Sequence, residues 1–477
     1  MLSPLLPLPF YLCCLAAAVL GIRAWMGRTE GWGIPMGVVV ATASAWYIGD
    51  ALYNEYAEYV QIQGQESLTA AWWEVLLFFL ALGVLVPVMN KKINGDLEPR
   101  SQIFQMMRNL TIDTDWFQNQ VSLIAKLLIG PWILLMALAL VRTDFDVIGM
   151  FFPYLGIKAD PWARGRLGGG IDAIYALAMY VQIMLTALFG VAFALSKRKS
   201  TMTQAGIIYF LSAPFFIFDR TRNSMLAILL PGFMAFVTLR LKGGVFMRLA
   251  VVVVSFLMID AWFKFVLEQR AKGANVAAAF HKGSTGDGDQ GYKPKKHDGF
   301  NIFEELGYIN YFISNGTYKL NWGERYFAEV VNPIPRVLWP GKPLIGIDYA
   351  IARGMGYGNQ SAKEGGVAAS ISTGMIGQGV VNFGRILGPI AAALLMAIWV
   401  AVLARQDLMG HDIGHLLLYA IGLVLTFNMG RDITLLVLYP FVFGWLLLWW
   451  NNRRKQGGAK PRGRESSVES LKKHETI

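Results

Sequence analysis

The sequence has few of the residues that build disulfide frameworks and metal centres. Its 477 residues include two cysteines, Cys13 and Cys14, and five histidines. The two cysteines are adjacent inside an apolar run, so they predict neither a disulfide framework nor a cysteine-based metal site. His281 and His297 lie in a stretch rich in glycine and lysine, without a further ligand at metal-binding spacing. We therefore expect a protein that works without a metal or another cofactor.

Charged residues are scarce as well. Asp, Glu, Lys and Arg make up 16% of the chain, against about 25% in soluble domains. Apolar residues make up 55%, and the mean hydropathy is +0.43, as is typical of membrane proteins. The formal net charge of +11 does not predict nucleic-acid binding, because the cations form short clusters between apolar runs. We expect membrane lipid, and no nucleic acid, to surround this chain.

Long apolar runs account for most of the sequence. Roughly 17 to 25 apolar residues cross a hydrocarbon core of about 30 Å. Eleven runs qualify, within a range of ten to twelve: 4–22, 33–50, 68–89, 121–141, 171–195, 203–218, 224–240, 247–267, 384–404, 413–429 and 433–450. The sequence therefore predicts an all-α polytopic membrane protein with about eleven transmembrane helices.

The cations between these runs predict the orientation of the chain. Clusters of Lys and Arg occur at every second connection between spans, which places them all on the same side of the membrane. They are Arg23/Arg28, Lys91/Lys92/Arg100, Lys197/Arg198/Lys199, Arg240/Lys242/Arg248, Arg405 and Arg453/Arg454/Lys455. The positive-inside rule assigns that side to the cytoplasm, so the chain starts outside and ends inside. Since no Lys or Arg precedes Arg23, the N-terminal run reads as a first span rather than a signal peptide.

This topology divides the chain into four regions. Residues 1–267 hold the first eight transmembrane helices, and residues 384–450 hold the last three. Between them, 268–383 form one large extracytoplasmic loop, with interfacial helices in its second half. Residues 451–477 are a basic cytoplasmic tail that we expect to be disordered.

The large loop contains a stretch, 327–383, in which proline, glycine and cations gather. Prolines fix the backbone and remove donors in NPIPR and WPGKP, so neither segment is plain helix. These segments carry Arg336 and Lys342, and Arg353 follows. A rigid, irregular backbone with three cations beside a membrane predicts an anion-binding platform.

Two further sites bring arginines to the outer side. The runs 206–218 and 224–237 are too short to span comfortably, so the turn between them, with Arg220 and Arg222, is drawn towards the bilayer. Ionisable groups at that depth are costly and are functional or paired; pairing with Asp219 is the alternative. Arg431 sits in a tight turn at the outer membrane edge. Arg431 is either a side chain that snorkels towards the lipid headgroups or part of the same set of outer arginines as Arg220 and Arg222.

The outer inventory is therefore rich in arginine and holds no Walker loop, GxSxG or HExxH motif. The planar fork of arginine suits diphosphate, and cations beside a diphosphate leaving group stabilise the charge that develops there. A membrane enzyme acting on a lipid-diphosphate-linked substrate fits this inventory.

Four motifs in this order, FDRTRNSMLAILL, NPIPRVLWPGKP, GMIGQGVVNFGRILG and GRDITLLVLYPF, resemble the bacterial O-antigen polymerase family (Wzy-type repeat-unit polymerases). The resemblance covers about 205–450. It implies a GT-C-like fold with one large periplasmic loop in the inner (cytoplasmic) membrane, the N-terminus periplasmic and the C-terminus cytoplasmic. It also implies polymerisation of undecaprenyl-diphosphate-linked oligosaccharide repeats into a surface polysaccharide, by a metal-independent glycosyltransferase that cooperates with a flippase and a chain-length regulator.

The resemblance implies a catalytic set of Arg222, Arg336 and Arg431, which hold the departing diphosphate and shape the groove. Glu324 is the predicted proton acceptor. The predicted substrate-binding residues are Arg220, Lys342, Arg353 and Gln378. Gln378 stands where many relatives have an acidic residue, and Arg353 has no counterpart in the family pattern.

Two other functions use the same inventory. An O-antigen ligase-like enzyme would transfer finished glycan to an acceptor, and an essential histidine in the large loop would favour it. A transporter of lipid-linked or anionic sugars would show internal repeats with broken helices, and the sequence contains no such duplication.

Overall fold

The computed structural model describes most of the chain, and the regular elements within that part are helices without any strand. The described residues are 6–54, 56–108, 114–151, 161–162, 172–217, 222–241, 244–271, 301–331, 334, 338–343, 347–353, 371–410, 413–433 and 435–458. The predicted all-α class is confirmed for these residues.

The helices are numbered in chain order. They are α1 (Leu8–Met26), α2 (Gly33–Ala43), α3 (Asp50–Tyr53), α4 (Tyr56–Gln63), α5 (Gln65–Asn94), α6 (Gln102–Arg108), α7 (Asp115–Arg142), α8 (Val147–Phe151), α9 (Asp172–Leu195), α10 (Lys199–Ile217), α11 (Arg222–Ala235), α12 (Val245–Ala271), α13 (Ile302–Ser314), α14 (Glu324–Val331), α15 (Ile347–Ala352), α16 (Gly374–Leu408), α17 (Ile413–Arg431) and α18 (Leu435–Gly458). A π-helical turn, Ser44–Gly49, joins α2 to α3, and a second one, Phe236–Arg240, follows α11.

Five helices in the described ranges are long and apolar enough to cross a membrane. They are Leu8–Thr29, Gln65–Asn94, Asp115–Arg142, Leu177–Leu195 and Gly374–Leu408. Shorter apolar helices are Ser224–Ala235, Phe246–Ile259 and Leu438–Trp450. The chain is therefore an α-helical membrane protein, as predicted. The count of eleven spans and the GT-C-like arrangement remain predictions.

Helices α5 and α16 form the centre of the fold and run in the same direction. At their C-terminal ends, Asn94 Nδ2 donates to the Ala401 carbonyl (2.8 Å), and Arg405 Nη1 donates to the Ile93 carbonyl (2.6 Å). We call this the basic end, because Arg405 lies there close to the end of α5 with its two lysines, Lys91 and Lys92. The opposite end, on which α13 packs, is the loop end.

The core between the central helices is aromatic and aliphatic. Helix α5 is apolar on all sides from Val75 to Met89, the pattern of a helix surrounded by other protein or lipid. Trp72, Phe78 and Phe79 are fully buried, and α5 packs against α1, α13 and α16. At the loop end, Phe303 of α13 stacks on Trp72 with ring centroids 4.0 Å apart, which joins α13 to the central helices.

A second group of helices, α7, α9, α10 and α11, packs through small residues and interhelical hydrogen bonds. A Cβ atom on Gly232 would come within 3.0 Å of the backbone of Gly190, so α9 and α11 touch through their backbones. Trp132 Nε1 donates to Ser212 Oγ at 2.9 Å across α7 and α10. Close backbone approach and such polar contacts are the usual sources of helix association in lipid.

Helix α16 has a sharp bend near its start. Gly384 has φ 79° and ψ −176°, a conformation that glycine adopts more readily than other residues. The bend folds 374–383 back towards 385–408, so that a Cβ atom on Gly379 would overlap the Gly388 carbonyl. Residues 374–383 therefore form a buried helical segment at the loop end.

A buried carboxylate ties the start of α13 to the helix bundle. Asp50 Oδ2 accepts hydrogen bonds from the backbone N–H groups of Phe303 (2.6 Å) and Glu304 (3.2 Å), at the start of α13. Its Oδ1 accepts from Asn54 Nδ2 (2.6 Å) and Tyr59 OH (2.9 Å). The negative charge also faces the positive end of the α13 dipole, which favours it. Asp50 therefore fixes where the loop segment begins.

We expect Asp50→Asn to lower the free energy of unfolding by about 1–3 kcal/mol. The asparagine amide keeps only one acceptor oxygen, and its NH₂ group faces N–H or O–H groups that are themselves donors. The measurement is the Tm of the detergent-solubilised protein. Glu66→Gln, at an exposed position at the start of α5, is the matched control and should change Tm little. A Tm for Asp50→Asn equal to that of the control would contradict this anchoring role.

Candidate functional site

Helix α14 lies over the loop end and is held against the bent start of α16. The Asn321 N–H donates to the Val381 carbonyl at 2.9 Å, just before the helix begins. The ring of Tyr326 stacks on Phe383, with centroids 6.1 Å apart. Gly323, with φ 91°, makes the turn that directs the chain into the helix. The start of α14 is thus fixed on a rigid, buried element.

The charged face of α14 points inwards. Arg325 and Glu329, which are four residues apart and share one face, are each 5% exposed. Phe327 and Val330 are 51% and 58% exposed. A helix with an exposed apolar face and a buried charged face suits a membrane interface, and the interfacial placement of this segment stays a prediction. Because burying charged groups is costly, their burial also marks the inner face as a site.

A third charged residue completes the cluster from the other side. Asp432 lies in the connection between α17 and α18 and accepts hydrogen bonds from the Thr373 N–H (3.2 Å) and hydroxyl (3.4 Å). The charge of Arg325 acts on both Asp432 and Glu329. We call Arg325, Glu329 and Asp432 the loop-end cluster.

The Arg325 guanidinium has more donor atoms than it uses within the described part of the chain. Its Nε and Nη1 atoms are buried and have no hydrogen-bond partner among the described residues. The same holds for Tyr326 OH, Tyr439 OH and Asn428 Oδ1, which are in or beside the elements that carry the cluster. A buried group without a partner costs about 1–3 kcal/mol. The unpartnered donors of Arg325, with the two tyrosine hydroxyls in these elements, indicate a surface built for a polar ligand with acceptor oxygens.

Proton binding in the cluster is shifted towards neutral pH. Burial raises the pKa of the Glu329 carboxyl to about 8, with the negative charge of Asp432 adding to the shift and Arg325 opposing it. Burial also raises the pKa of Asp432, although Arg325 and Arg431 oppose the shift. A carboxyl with a pKa of about 8, like that of Glu329, is suited to proton transfer.

Two of the predicted site residues adjoin the cluster. Arg431 is the last residue of α17, and its charge acts on the neighbouring Asp432. Gln378 is fully buried in the bent segment of α16. Its amide donates to the Ile433 carbonyl (3.1 Å) and accepts from the Ile433 N–H (2.9 Å). Gln378 thereby fixes the connection that carries Asp432, which is a positioning contact.

Three other predicted residues have different surroundings. Lys342 is buried, and its Nζ donates to the Ile334 carbonyl at 2.8 Å, inside the proline-rich stretch. Arg353 forms a two-pronged ion pair with Glu305 (2.9 and 3.0 Å) and lies over the Tyr308 ring at 3.5 Å. Glu324 is exposed at the first position of α14.

The remaining predicted residues are Arg220, Arg222 and Arg336. Arg220 and Arg336 lie outside the described residues. Arg222 is the first residue of α11, which packs on α9, α10 and α17. Their predicted roles stay predictions.

Sequence reasoning missed all three members of the loop-end cluster. In a sequence, Arg325 and Glu329 look like a solvated pair four residues apart on a helix. The sequence did contain one signal. The other face of this helix carries the apolar residues Phe327 and Val330, so the charged face was also a candidate for burial. Asp432 directly follows Arg431, a predicted site residue, but it was not itself among the predicted residues.

No protein-family model, curated protein or solved structure matches the chain. Fold and site together define an α-helical membrane protein with a buried arginine–carboxylate cluster at one end of its bundle. Chemically, this cluster offers donors for an anion and a carboxyl that exchanges a proton near neutral pH.

Proposed function

We propose that the chain polymerises undecaprenyl-diphosphate-linked oligosaccharide repeat units into a surface polysaccharide at the periplasmic face of a bacterial inner membrane. The product is an O-antigen, a capsule or an exopolysaccharide. The observation that carries this proposal is Arg325, a buried guanidinium with unpartnered donors beside two carboxyls. The ordered motifs that resemble O-antigen polymerases support it independently.

The reaction joins two lipid-linked chains. A hydroxyl oxygen at the non-reducing end of one repeat attacks the anomeric carbon of the growing chain, and a new glycosidic C–O bond forms. The bond between that carbon and the diphosphate oxygen breaks, and undecaprenyl diphosphate leaves with the electron pair. The hydroxyl proton passes to a carboxylate of the enzyme.

In this proposal the cations hold the diphosphate as its charge develops. Arg325 is added to the predicted set of Arg222, Arg336 and Arg431. An arginine fork binds two phosphate oxygens at once, and in a site shielded from water such donors contribute most to catalysis. Both orientation and charge stabilisation therefore come from the protein's own side chains.

The proton acceptor in this proposal is Glu329 rather than Glu324. Both glutamates belong to α14, but Glu324 is exposed whereas Glu329 is buried beside Arg325. The raised pKa of Glu329, about 8, is close to the operating pH at which a general base is most effective. Glu324 keeps its predicted role as the alternative, and the two are separable by substitution.

The experiment that tests this function is a gel of surface and lipid-linked glycans from a deletion strain, with and without the wild-type gene. We expect deletion to remove the polymer ladder, to leave single repeats on the lipid carrier, and complementation to restore the ladder. Full-length polymer accumulating on the carrier would instead make the protein a ligase. Unchanged glycans in both fractions would refute glycan transfer altogether.

A further inference from the structure

A cavity of about 290 Å³ opens at the basic end, between the ends of α16, α17 and α18. It lies at the opposite end of the bundle from the loop-end cluster and takes no part in the proposed reaction. Its polar lining consists of Arg405, Gln406, His415 and Arg453, and its apolar lining includes Trp445 and Trp449.

The polar lining is cationic. The Arg453 guanidinium lies over the Trp449 ring at 4.1 Å, and it has no carboxylate partner among the residues that the structure describes. Arg405 is held at the wall by the Ile93 carbonyl (2.6 Å) and by Asp96 (3.2 Å). No residue that lines the cavity is acidic. The lining therefore suits an anion with several oxygen acceptors.

The neutral polar groups complete the same surface. His415 Nδ1 and Gln406 Oε1 are 2.8 Å apart, in the buried part of the wall. This contact keeps the imidazole and the amide in fixed positions next to Arg405. A phosphate group in the cavity would share it with two arginines, Arg405 and Arg453, and with the polar groups of Gln406 and His415.

The mouth of the cavity is aromatic and faces away from the bundle. Trp445 and Trp449 lie one turn apart on α18 and are 45% and 46% exposed. The following Trp450 is 58% exposed, and Leu447 is 68% exposed. Tryptophans at the end of an apolar helix, followed by arginine, form the belt that sits at lipid headgroups. A ligand here therefore meets acyl chains as well as water.

We propose that this cavity binds the headgroup of an anionic phospholipid from the adjacent leaflet. The phosphodiester lies between Arg405 and Arg453, and the acyl chains run along Trp445 and Leu448 towards the bilayer. Clusters of cations between transmembrane helices at the cytoplasmic side bind anionic lipids in this way. The bound lipid fixes the end of α18 to the membrane surface.

Native mass spectrometry of the detergent-solubilised protein tests the proposal, with phosphatidylglycerol and phosphatidylcholine added at equal concentrations. We expect wild type to retain one phosphatidylglycerol in preference to phosphatidylcholine. Arg453→Gln should weaken this binding about tenfold, the loss of one charge-assisted contact. Arg453 is the residue to change because it is exposed, whereas Arg405 also holds the backbone of α5.

The matched control is Arg100→Gln, which removes the same charge from an exposed loop outside the cavity. It should retain phosphatidylglycerol as wild type does. Equal retention of both lipids by wild type, or an equal loss in both variants, would overturn the proposal. A third arm adds inorganic phosphate: displacement of the lipid at millimolar concentration would make this a site for a soluble anion instead.

Discussion

Arg325→Gln is expected to leave the protein folded and to reduce polymer formation by about 10²–10³-fold, the usual cost of removing a donor that stabilises charge in the transition state. Arg325 makes no hydrogen bond through Nε or Nη1 to the described residues, so the amide breaks none there. The loss should appear in kcat for lipid-linked repeats. The same strain should show single repeats on the carrier in place of a ladder.

The matched control for this variant is Lys319→Gln. Lys319 is exposed between α13 and α14, and its substitution removes the same charge without touching the loop-end cluster. Arg325→Lys keeps the charge but loses the planar fork, and we expect it to recover only part of the rate. Wild-type polymer from a stably folded Arg325→Gln protein would remove Arg325 from the proposed reaction.

The membrane class of the fold was predictable because it depends on local composition. Helices α5 and α16 each contain a long apolar run, and any such run needs a helix to satisfy its backbone in lipid. Their lateral arrangement was not predictable in this way. The contact of Asn94 with Ala401 joins residues more than three hundred positions apart, and nothing in either segment names its partner.

The candidate site was predictable only in its location and charge. Arg431 and Gln378 came from motifs at the loop end, and the structure puts both beside Asp432. The other site residues could not be predicted, because the sequence does not show which charged side chains are buried. Arg353 looked like a free cation in the sequence, but it is neutralised by Glu305, forty-eight positions away. Arg325 looked like a solvated residue and is the buried one.

Glu329→Gln should lower kcat by about 100-fold and remove the pH dependence of the reaction. In wild type, activity should rise as pH approaches and passes about 8, because Glu329 accepts a proton only once it has lost its own. The free energy of unfolding should instead fall as the pH rises. The folded-state pKa of Glu329 lies above its ordinary value of 4.5, so its contribution to stability is fully present below that pH and is lost as pH rises through about 8.

These two opposite slopes separate a catalytic proton acceptor from a merely buried carboxyl. If Glu329 only packs, Glu329→Gln flattens the decline in Tm between pH 5 and about pH 9 but leaves the pH–rate profile as in wild type. If it accepts the proton, the same variant shows both a smaller decline in Tm and a pH–rate profile without the rise towards pH 8. Glu324→Gln is the control on the same helix, exposed and outside the cluster, and should alter neither curve. Loss of the rate profile in Glu324→Gln alone would return the role of base to Glu324.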